Sequence, residues 1–386
     1  MKITKISACP VGIVIPRPTA PAPRRNWIIV RVETDEGIVG LGEATTENCE
    51  HAVISMVNEH FGPYLVGKDP TKITRAWQEM QRLFWWRGGV VTTSAASGIE
   101  QALWDITGKA YGQPVYKLLG GAVRDRVRVY ARNDLGLEDE VAEIKAAIQE
   151  GFTGFKTGSG PYFVPYNEDK QVDVAIELYR KLRETAGPDF DLMIDCLGNY
   201  SLHNASRLIQ GIRDLGMLFV EEPVNVDNPR SIVELRRAFP DVRIAAGERL
   251  YTRWGIREWL ETGAVDVLQV DITHCGGIGE LLRIAAYAEV YNVKVAPHNP
   301  YGPVALAAYL HACAAMPNFL ILEHWRYHSL FSEAQQFGPR VEDGCIQLTD
   351  RPGLGVELNW DFVNKHPYHD LHKYDFKDRD GGMALV

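Results

Sequence analysis

The sequence predicts an α/β fold, in which a (β/α)8 barrel of the TIM type carries a smaller α+β capping domain. Two observations support this prediction. From about residue 126 onward, short β-rich runs alternate with helical patterns, whereas the first 125 residues lack this alternation. In addition, six successive β-rich runs end on a charged or titratable residue, which is the pattern expected where barrel strands meet at an active-site mouth.

The first region, residues 1–125, is predicted to be a small sheet followed by helices. Two strand-like runs, KITKISACPVGIVI and NWIIVRVETDEGIVGLGEA, are joined by the proline-rich segment PRPTAPAPRRN, which we expect to form a loop. Helical patterns follow, from HAVISMVNEHFGPYL to SAASGIEQALWDITGKAYGQ. In the last of these, Ser94 and Ser97 are candidate N-caps, and Gly112 followed by Pro114 is a stop signal.

Residues 126–350 contain eight strand-like runs, each followed by an amphipathic helical pattern. The runs are VRVYAR, FTGFKTG, FDLMID, MLFVEE, VRIAAGE, DVLQVD, VKVAPH and FLILE. Helical stretches such as VAIELYRKLRETAG have apolar residues three and four positions apart. Eight such units in about 200 residues indicate a closed barrel. The segment 351–386 has no such repeat, and we expect it to return to the capping domain.

Composition excludes several classes of protein. The formal net charge is −9, with 50 acidic against 41 basic residues and no long basic run, so nucleic acid is not an expected partner. The six cysteines contain no C-x-x-C pair, which argues against a zinc site and a disulfide framework and favours the cytoplasm. No apolar stretch is long enough to cross a bilayer, so no membrane contact is expected.

The six strand-end residues form the candidate site. They are Asp195, Glu221, Glu248, Asp271, His298 and Glu323, separated by 26, 27, 23, 27 and 25 residues. Three carboxylates from adjacent strands repel one another in a partly desolvated mouth unless they take up protons or bind a cation. Because Asp195, Glu221 and Glu248 offer only oxygen ligands, they favour Mg²⁺ over zinc. The alternative is that these acids cap the helices that follow them.

Asp271 and His298 end adjacent strands, so the carboxylate can hold one ring nitrogen while the other acts as a base. Glu323 is a candidate to donate to, or bond with, a substrate oxygen. A structural histidine and a helix-capping glutamate are the competing interpretations. The neighbouring carboxylate and the nearby metal-type acids favour the catalytic interpretation for His298.

The motifs KTG, IDCLGN, VEEP, AAGER, QVDITHCGGI, APHNPYGP and ILEHW together resemble the enolase superfamily, in its mandelate racemase-like branch and near the galactonate dehydratase-like acid-sugar dehydratases. The resemblance implies that Asp195, Glu221 and Glu248 bind Mg²⁺, with Glu222 as a neighbour only. It also implies that His298, with Asp271, removes the proton α to a carboxylate, and that the metal stabilises the enediolate.

Two positions depart from that pattern. Gly158 stands where many relatives have the second lysine of a Lys-x-Lys pair, so two-base racemisation with Lys156 is disfavoured. Leu197 stands where related dehydratases often have the histidine that protonates the leaving hydroxyl. The acid is therefore unassigned. The candidates are Lys156, Tyr200, His203, a tyrosine of the segment GSGPYFVPYNEDK, and His298 itself in a syn elimination.

We therefore expect a Mg²⁺-dependent lyase that dehydrates a sugar acid to a 2-keto-3-deoxy acid. An epimerase or cycloisomerase that uses the same enediolate, and a non-catalytic sugar-acid-binding relative, are the alternatives. Arg24 or Arg25, on a loop expected to close over the mouth, is a candidate for binding an anionic group of the substrate, and the competing interpretation, which we favour, is a solvated loop charge. A homo-oligomer is expected, and the run Phe84 to Trp86 is predicted to lie in the core or in a subunit interface.

Overall fold

The computed structural model describes residues 1–15, 24–82, 85–132, 139–160, 166–326 and 328–370. Most of the proline-rich loop (16–23), Phe84, part of the segment after Lys156 (161–165) and the end of the tail (371–386) lie outside these ranges. Our expectations for those stretches therefore stay predictions.

The N-terminal sheet has three antiparallel strands in the order β1-β2-β3. Their bounds are Ile3–Val14, Arg24–Thr34 and Val39–Glu43. The run predicted as a single strand from Asn26 onward is divided by a turn, in which Gly37 adopts φ 77° and its N–H bonds the Thr34 carbonyl. Apolar residues facing the helices, such as Ile28, Val30 and Val32, are completely buried and form the core of this domain.

The helices of the capping domain pack on one face of that sheet. They are α1 (Glu50–Ser55), α2 (Gly62–Leu65), α3 (Ile73–Arg82), α4 (Val90–Tyr111) and α5 (Val115–Leu118), with a π-helical turn, Met56–Phe61, joining α1 to α2. Gly112 ends α4 in the left-handed conformation (φ 64°), as predicted. The predicted caps of α4 are wrong: the N-cap is Gly89, so Ser94 and Ser97 lie inside the helix, where their hydroxyls form other bonds.

Eight parallel strands form the barrel, and each corresponds to one of the predicted runs. They are β4 (Arg126–Arg132), β5 (Gly154–Thr157), β6 (Asp191–Asp195), β7 (Phe219–Glu221), β8 (Ile244–Ala246), β9 (Val267–Leu268), β10 (Lys294–Val295) and β11 (Leu322–Trp325). Neighbours in sequence are neighbours in the sheet from β4 to β10. The barrel closes because β11 pairs with β4, and the Leu320 N–H bonds the Val295 carbonyl.

An α-helix follows each barrel strand. The helices are α6 (Glu140–Gln149), α7 (Glu168–Ala186), α8 (Leu202–Ile212), α9 (Pro229–Ala238), α10 (Thr252–Glu261), α11 (Ile278–Val290), α12 (Pro303–Ala315) and α13 (His328–Ala334), and a 3₁₀ turn, Arg213–Leu215, extends α8. Polar side chains cap several of them, for example Asn167 on α7 and Ser201 on α8.

The barrel interior is built in layers by the two-residue period of its strands. The lower layer is an apolar cluster of Tyr130, Met193, Phe219, Ala245, Val267, Ala296 and Ile321. Two residues further along each of these strands lie Arg132, Asp195, Glu221, Gly247, Gln269, His298 and Glu323. Since side chains on a strand alternate between its two faces, this second set continues on the inner face, above the apolar layer. The charged residues of the mouth therefore lie directly above a layer of buried apolar side chains.

The segment after the barrel packs against both domains. It contains β12 (Val341–Glu342), β13 (Cys345–Gln347) and α14 (Trp360–Lys365). The strand β13 pairs antiparallel with the first residues of β4. Further along, the Val115 N–H bonds the Gly353 carbonyl, and the Gly12 N–H bonds the His366 carbonyl. The described part of the tail thus returns to the capping domain, as predicted.

Other expectations concern single residues. All six cysteines are free. Trp85 and Trp86 are 97% and 90% exposed in the single chain, so a core location is wrong for these two residues, and a subunit interface remains a prediction. Among the described residues, no helix combines the length and apolar character that a membrane span requires.

Candidate active site

Three acids from successive strands converge at the mouth of the barrel. One carboxylate oxygen from each of Asp195, Glu221 and Glu248 lies within 4.8 Å of the others. Asp195 and Glu221 are almost completely buried, and one oxygen of each (Oδ2 and Oε1) has no hydrogen-bond partner among the described residues. Buried carboxylate oxygens that lack a partner are costly, and a divalent cation bound by oxygen ligands satisfies them. The donor set therefore fits a hard metal ion.

Backbone geometry brings the third acid into this group. Glu248 follows Gly247, whose φ of 140° is a conformation that L side chains rarely adopt. A Cβ at this position would also lie 3.0 Å from the Gln269 nitrogen. Gly247 interrupts the inward–outward alternation of side chains along β8. The side chain that lies beside Asp195 and Glu221 is therefore that of Glu248, one residue beyond the regular inward position.

The electrostatics of the acids favour a bound cation. Burial and the charge of Asp195 raise the pKa of Glu221 to about 8, despite the opposing effect of Lys156. Burial also raises the pKa of Asp195. Burial acts in the same direction on Glu248, but the charges of His298 and Arg249 outweigh it and lower the pKa of that residue. Without a cation, two of the three carboxylates therefore resist ionisation.

Lys156, Glu323 and Arg132 form a second charged group in the mouth. The Lys156 Nζ lies 2.5 Å from Glu221 Oε2, 3.4 Å from Glu323 Oε1 and 3.9 Å from Asp195 Oδ2. Burial disfavours its charge, but these carboxylates outweigh that effect and raise the pKa of Lys156 well above 10.5. Lys156 is thus a fixed cation rather than a base.

Glu323 is held in its ionised form. Its Oε1 lies 2.9 Å from Arg132 Nε, and its Oε2 accepts the Asn299 N–H at 2.9 Å. Burial raises the pKa of the group, but Lys156 and Arg132 outweigh burial and lower the pKa to about 2. An ionised carboxylate accepts hydrogen bonds, so of the two roles predicted for Glu323 this geometry favours bonding over donation.

His298 and Asp271 are paired as the sequence predicts. The ring Nδ1 lies 2.7 Å from Asp271 Oδ2, and the other Asp271 oxygen accepts from the Thr273 N–H and hydroxyl. The carboxylate therefore holds the proton on Nδ1 and directs Nε2 into the mouth, 3.3 Å from Glu248 Oε2. Burial lowers the pKa of His298, but Glu248, Glu323 and Asp271 outweigh burial and raise it to about 9.

Leu197 and Arg249 shape the loops that carry the metal-type acids. Leu197 adopts φ 54°, and its N–H bonds Asp195 Oδ1 at 3.0 Å. The Arg249 guanidinium bonds the Leu197 carbonyl at 2.9 Å and lies 3.1 Å from Glu222 Oε2. Leu197 thus holds a ligand loop in shape but supplies no proton. The ion pair with Arg249 gives Glu222 a partner of its own.

The remaining candidate residues, for substrate binding and for the acid, differ in their burial and contacts. Arg25 forms an ion pair with Glu47, and its guanidinium lies 4.9 Å from the centre of the ring of Trp325, which is two residues beyond Glu323 in sequence. Among the candidate acids, Tyr200 is buried and His203 is exposed. Tyr166 donates to the Asn199 carbonyl, and Tyr162 lies outside the described residues.

Sequence reasoning missed four residues of the mouth. Arg132 ends the first barrel strand and carried the same strand-end signal as the five acids and His298. Gln269 lies two residues before Asp271 on the same inner face, and it is completely buried. His274 and Tyr301 lie three residues beyond Asp271 and His298 respectively, in loops where no sequence period indicates which side chains turn inward.

Two family descriptions match the chain. The description "Mandelate racemase / muconate lactonizing enzyme, N-terminal domain" matches residues 13–120, and "Enolase C-terminal domain-like" matches residues 139–362. The second match contains all seven predicted site residues.

Curated relatives and solved structures are similar over nearly the whole chain. A D-galactonate dehydratase of Verminephrobacter eiseniae is 39% identical over 86% of this chain and 89% of its own length. The D-galactonate dehydratase of Cronobacter sakazakii is 38% identical over 93% and 92%. An enolase from Agrobacterium radiobacter, a candidate galactarate dehydratase solved with sodium and L-malate, is 31% identical, with a TM-score of 0.89 and 100% of both chains covered.

Proposed function

The chain belongs to the mandelate racemase and muconate lactonizing enzyme family of the enolase superfamily, and we propose that it is a Mg²⁺-dependent dehydratase acting on a sugar acid. The observation that carries the proposal is the inner ring of the barrel mouth. This ring holds a carboxylate-paired histidine and three clustered acids on neighbouring strands. The names of the relatives support dehydration of a sugar acid as the overall reaction.

In this proposal, His298 Nε2 removes the proton α to the substrate carboxylate. Asp271 fixes the tautomer that leaves the Nε2 lone pair available, and it stabilises the imidazolium that forms. Asp195, Glu221 and Glu248 would hold the cation, and oxygen-only ligands favour Mg²⁺. The cation would supply positive charge that offsets Glu248 and stabilises the charge developing on the substrate carboxylate.

Lys156, Arg132 and Glu323 bind and orient the substrate. Lys156 and Arg132 place fixed positive charge opposite His298, where the substrate carboxylate and the oxygen at C2 become more negative as the enediolate forms. Glu323, held ionised between them, accepts from a substrate hydroxyl. Elimination of the C3 hydroxyl then gives an enol, which becomes the 2-keto-3-deoxy acid.

The test is a panel of aldonic and aldaric acids, including galactonate and galactarate, incubated with the protein and Mg²⁺ in D₂O. We expect a 2-keto product from at least one acid and none from the His298→Asn variant, because asparagine cannot accept the α-proton. Deuterium at C2 without a keto product would instead indicate epimerisation. Binding with neither exchange nor product would indicate a non-catalytic relative, and full dehydration by His298→Asn would refute the proposed base.

A further inference from the structure

A buried chain of hydrogen bonds links the capping domain to the catalytic mouth. Ser94, on α4, is completely buried, and its Oγ lies 2.8 Å from His274 Nδ1. On the other side of the ring, His274 Nε2 lies 2.8 Å from the Tyr301 hydroxyl. Ser94, His274 and Tyr301 therefore form a continuous line, and the proposed base plays no part in it.

We infer the direction of these bonds from the different burial of the two hydroxyls. Among the residues that the structure describes, His274 Nδ1 is the one hydrogen-bond partner of the Ser94 hydroxyl. Ser94 is completely buried, so its hydroxyl donates to Nδ1, whereas Tyr301 is 6% exposed, so water or substrate can accept its proton. Burial lowers the pKa of His274, so the ring is neutral and its single proton is on Nε2. That proton is donated to the Tyr301 oxygen.

Tyr301 is consequently left with a proton to donate. Its oxygen accepts from His274, and within the described ranges the Tyr301 hydroxyl has no second hydrogen-bond partner. The ring stands perpendicular to the His298 ring, with 5.9 Å between the ring centres. Asp271 and Glu248 on one hand, and Arg25 and Arg132 on the other, act electrostatically on this phenol. The Tyr301 ring is therefore beside the base, and the charges of the mouth act on its hydroxyl.

We propose that Tyr301 is the acid that protonates the leaving C3 hydroxyl, and that His274 and Ser94 position it. The inference rests on the proposed dehydratase function and concerns the same site. It assigns the protonation of the leaving hydroxyl, a step for which Leu197 offers no proton.

The proton balance closes over one turnover. His298 takes the C2 proton, the C3–O bond breaks, and the Tyr301 proton joins the departing hydroxide to give water. The Tyr301 phenolate is stabilised by the His274 Nε2–H and takes up the proton that the enol oxygen loses. The imidazolium of His298 protonates C3, so both residues return to their starting states and no further reactant is needed.

A phenol is a competent acid for this step. Burial raises the pKa of Tyr301 well above 10, so the residue keeps its proton at neutral pH. The leaving group is hydroxide, which in water is a far stronger base than a phenolate, and the His274 Nε2–H stabilises the phenolate that forms. Lys156 is another candidate donor, but its ammonium already lies within 4 Å of three carboxylates.

The decisive experiment compares leaving groups in a Tyr301→Phe variant. With the natural hydroxyl as leaving group, we expect its kcat for dehydration to fall about 100-fold or more. With the 3-chloro-3-deoxy analogue of the same sugar acid, kcat should stay within about threefold of the parent, because chloride leaves without a proton. Exchange of the C2 proton in D₂O should persist, since the base is intact. Tyr287→Phe, on the outer helix α11, is the matched control.

His274→Gln tests the positioning role. It should slow dehydration of the hydroxy substrate and spare the chloro analogue, a selectivity that mere loss of stability would not produce. Dehydration by Tyr301→Phe within threefold of the parent would overturn the assignment, as would equal losses with both leaving groups in a folded Tyr301→Phe protein. If the parent protein itself forms no keto product from any acid, it is the dehydratase proposal that fails.

Discussion

At the scale of single residues, burial decides which groups change charge. His311, on α12, lies in the interior, where its Nδ1 accepts the Tyr116 N–H at 3.2 Å and its ring stacks on the Tyr116 ring. Burial lowers the pKa of His311 from 6.5 to about 4. A proton on Nδ1 would also break the bond to Tyr116, so geometry and burial both keep this ring neutral.

The His311 shift predicts how stability depends on pH. The unfolded chain takes up a proton on this histidine as the pH falls below about 6.5, whereas the folded protein does so only near pH 4. The contribution is therefore fully present above pH 6.5 and is lost as the pH falls. Between pH 7.5 and 4.5 the parent should lose about 2.5 kcal/mol more unfolding free energy than His311→Gln.

Urea unfolding of both proteins at the two pH values measures this difference, with His203→Gln as a control at an exposed histidine. Equal losses for the parent and His311→Gln would contradict the prediction.

At the scale of elements, the capping domain holds the two helices that follow the strands leading to Asp271 and His298. Glu100, on α4, accepts the Ile278 and Gly279 N–H groups at 2.8 and 2.9 Å, at the start of α11. Glu43, on β3, accepts the Gly302 and Ala305 N–H groups at 2.8 and 2.9 Å, at the start of α12. Each carboxylate satisfies free N–H groups and interacts favourably with the helix dipole.

Replacing Glu43 with Gln should therefore destabilise the protein. Glutamine has one acceptor oxygen, so its NH₂ group would face one of the two helix N–H groups and leave it unsatisfied. We expect a loss of about 1 to 3 kcal/mol in unfolding free energy at pH 8, where Glu43, with a pKa of about 6, is ionised. Urea unfolding against the exposed Glu59→Gln measures the effect, and equal stability of the two variants would argue against this role.

At the scale of the whole molecule, the barrel places several carboxylates close together at its mouth, and the protein's own cations do not neutralise all of them. The five acids of the mouth come from five different strands or strand ends and lie above the apolar layer. Because the cluster of Asp195, Glu221 and Glu248 exists only when the barrel is closed, a cation that binds it stabilises the folded state over the unfolded chain.

Mg²⁺ should therefore raise the melting temperature. At 100 times its dissociation constant, a ligand that binds only the folded state adds about 2.7 kcal/mol, which corresponds to a few degrees for a chain of this size. Scanning calorimetry with and without Mg²⁺ measures the shift, which Glu221→Gln should abolish and Glu234→Gln, on the surface of α9, should retain. A shift of equal size in the Glu221→Gln protein would contradict the assignment of this ligand.

Much of the architecture could be predicted from local sequence patterns. The alternation of β-rich and helical runs identified all eight barrel strands, because each strand buries its apolar residues with a period that its neighbours in sequence reveal. The strand-end position of Asp195, Glu221, Asp271 and His298 likewise followed from the parallel arrangement, since the carboxyl ends of barrel strands share one mouth. These features depend on residues close together in the chain.

The contacts that complete the mouth were decided by the tertiary structure alone. Ser94 meets His274 across 180 residues, and His274 meets Tyr301 across 27, through loops whose conformation no period predicts. In the same way, Arg132 reaches Glu323 only because the last barrel strand pairs with the first. Hydrogen bonds and ion pairs act over a few ångströms, so which distant side chains form them depends on how the barrel closes and where the capping domain docks.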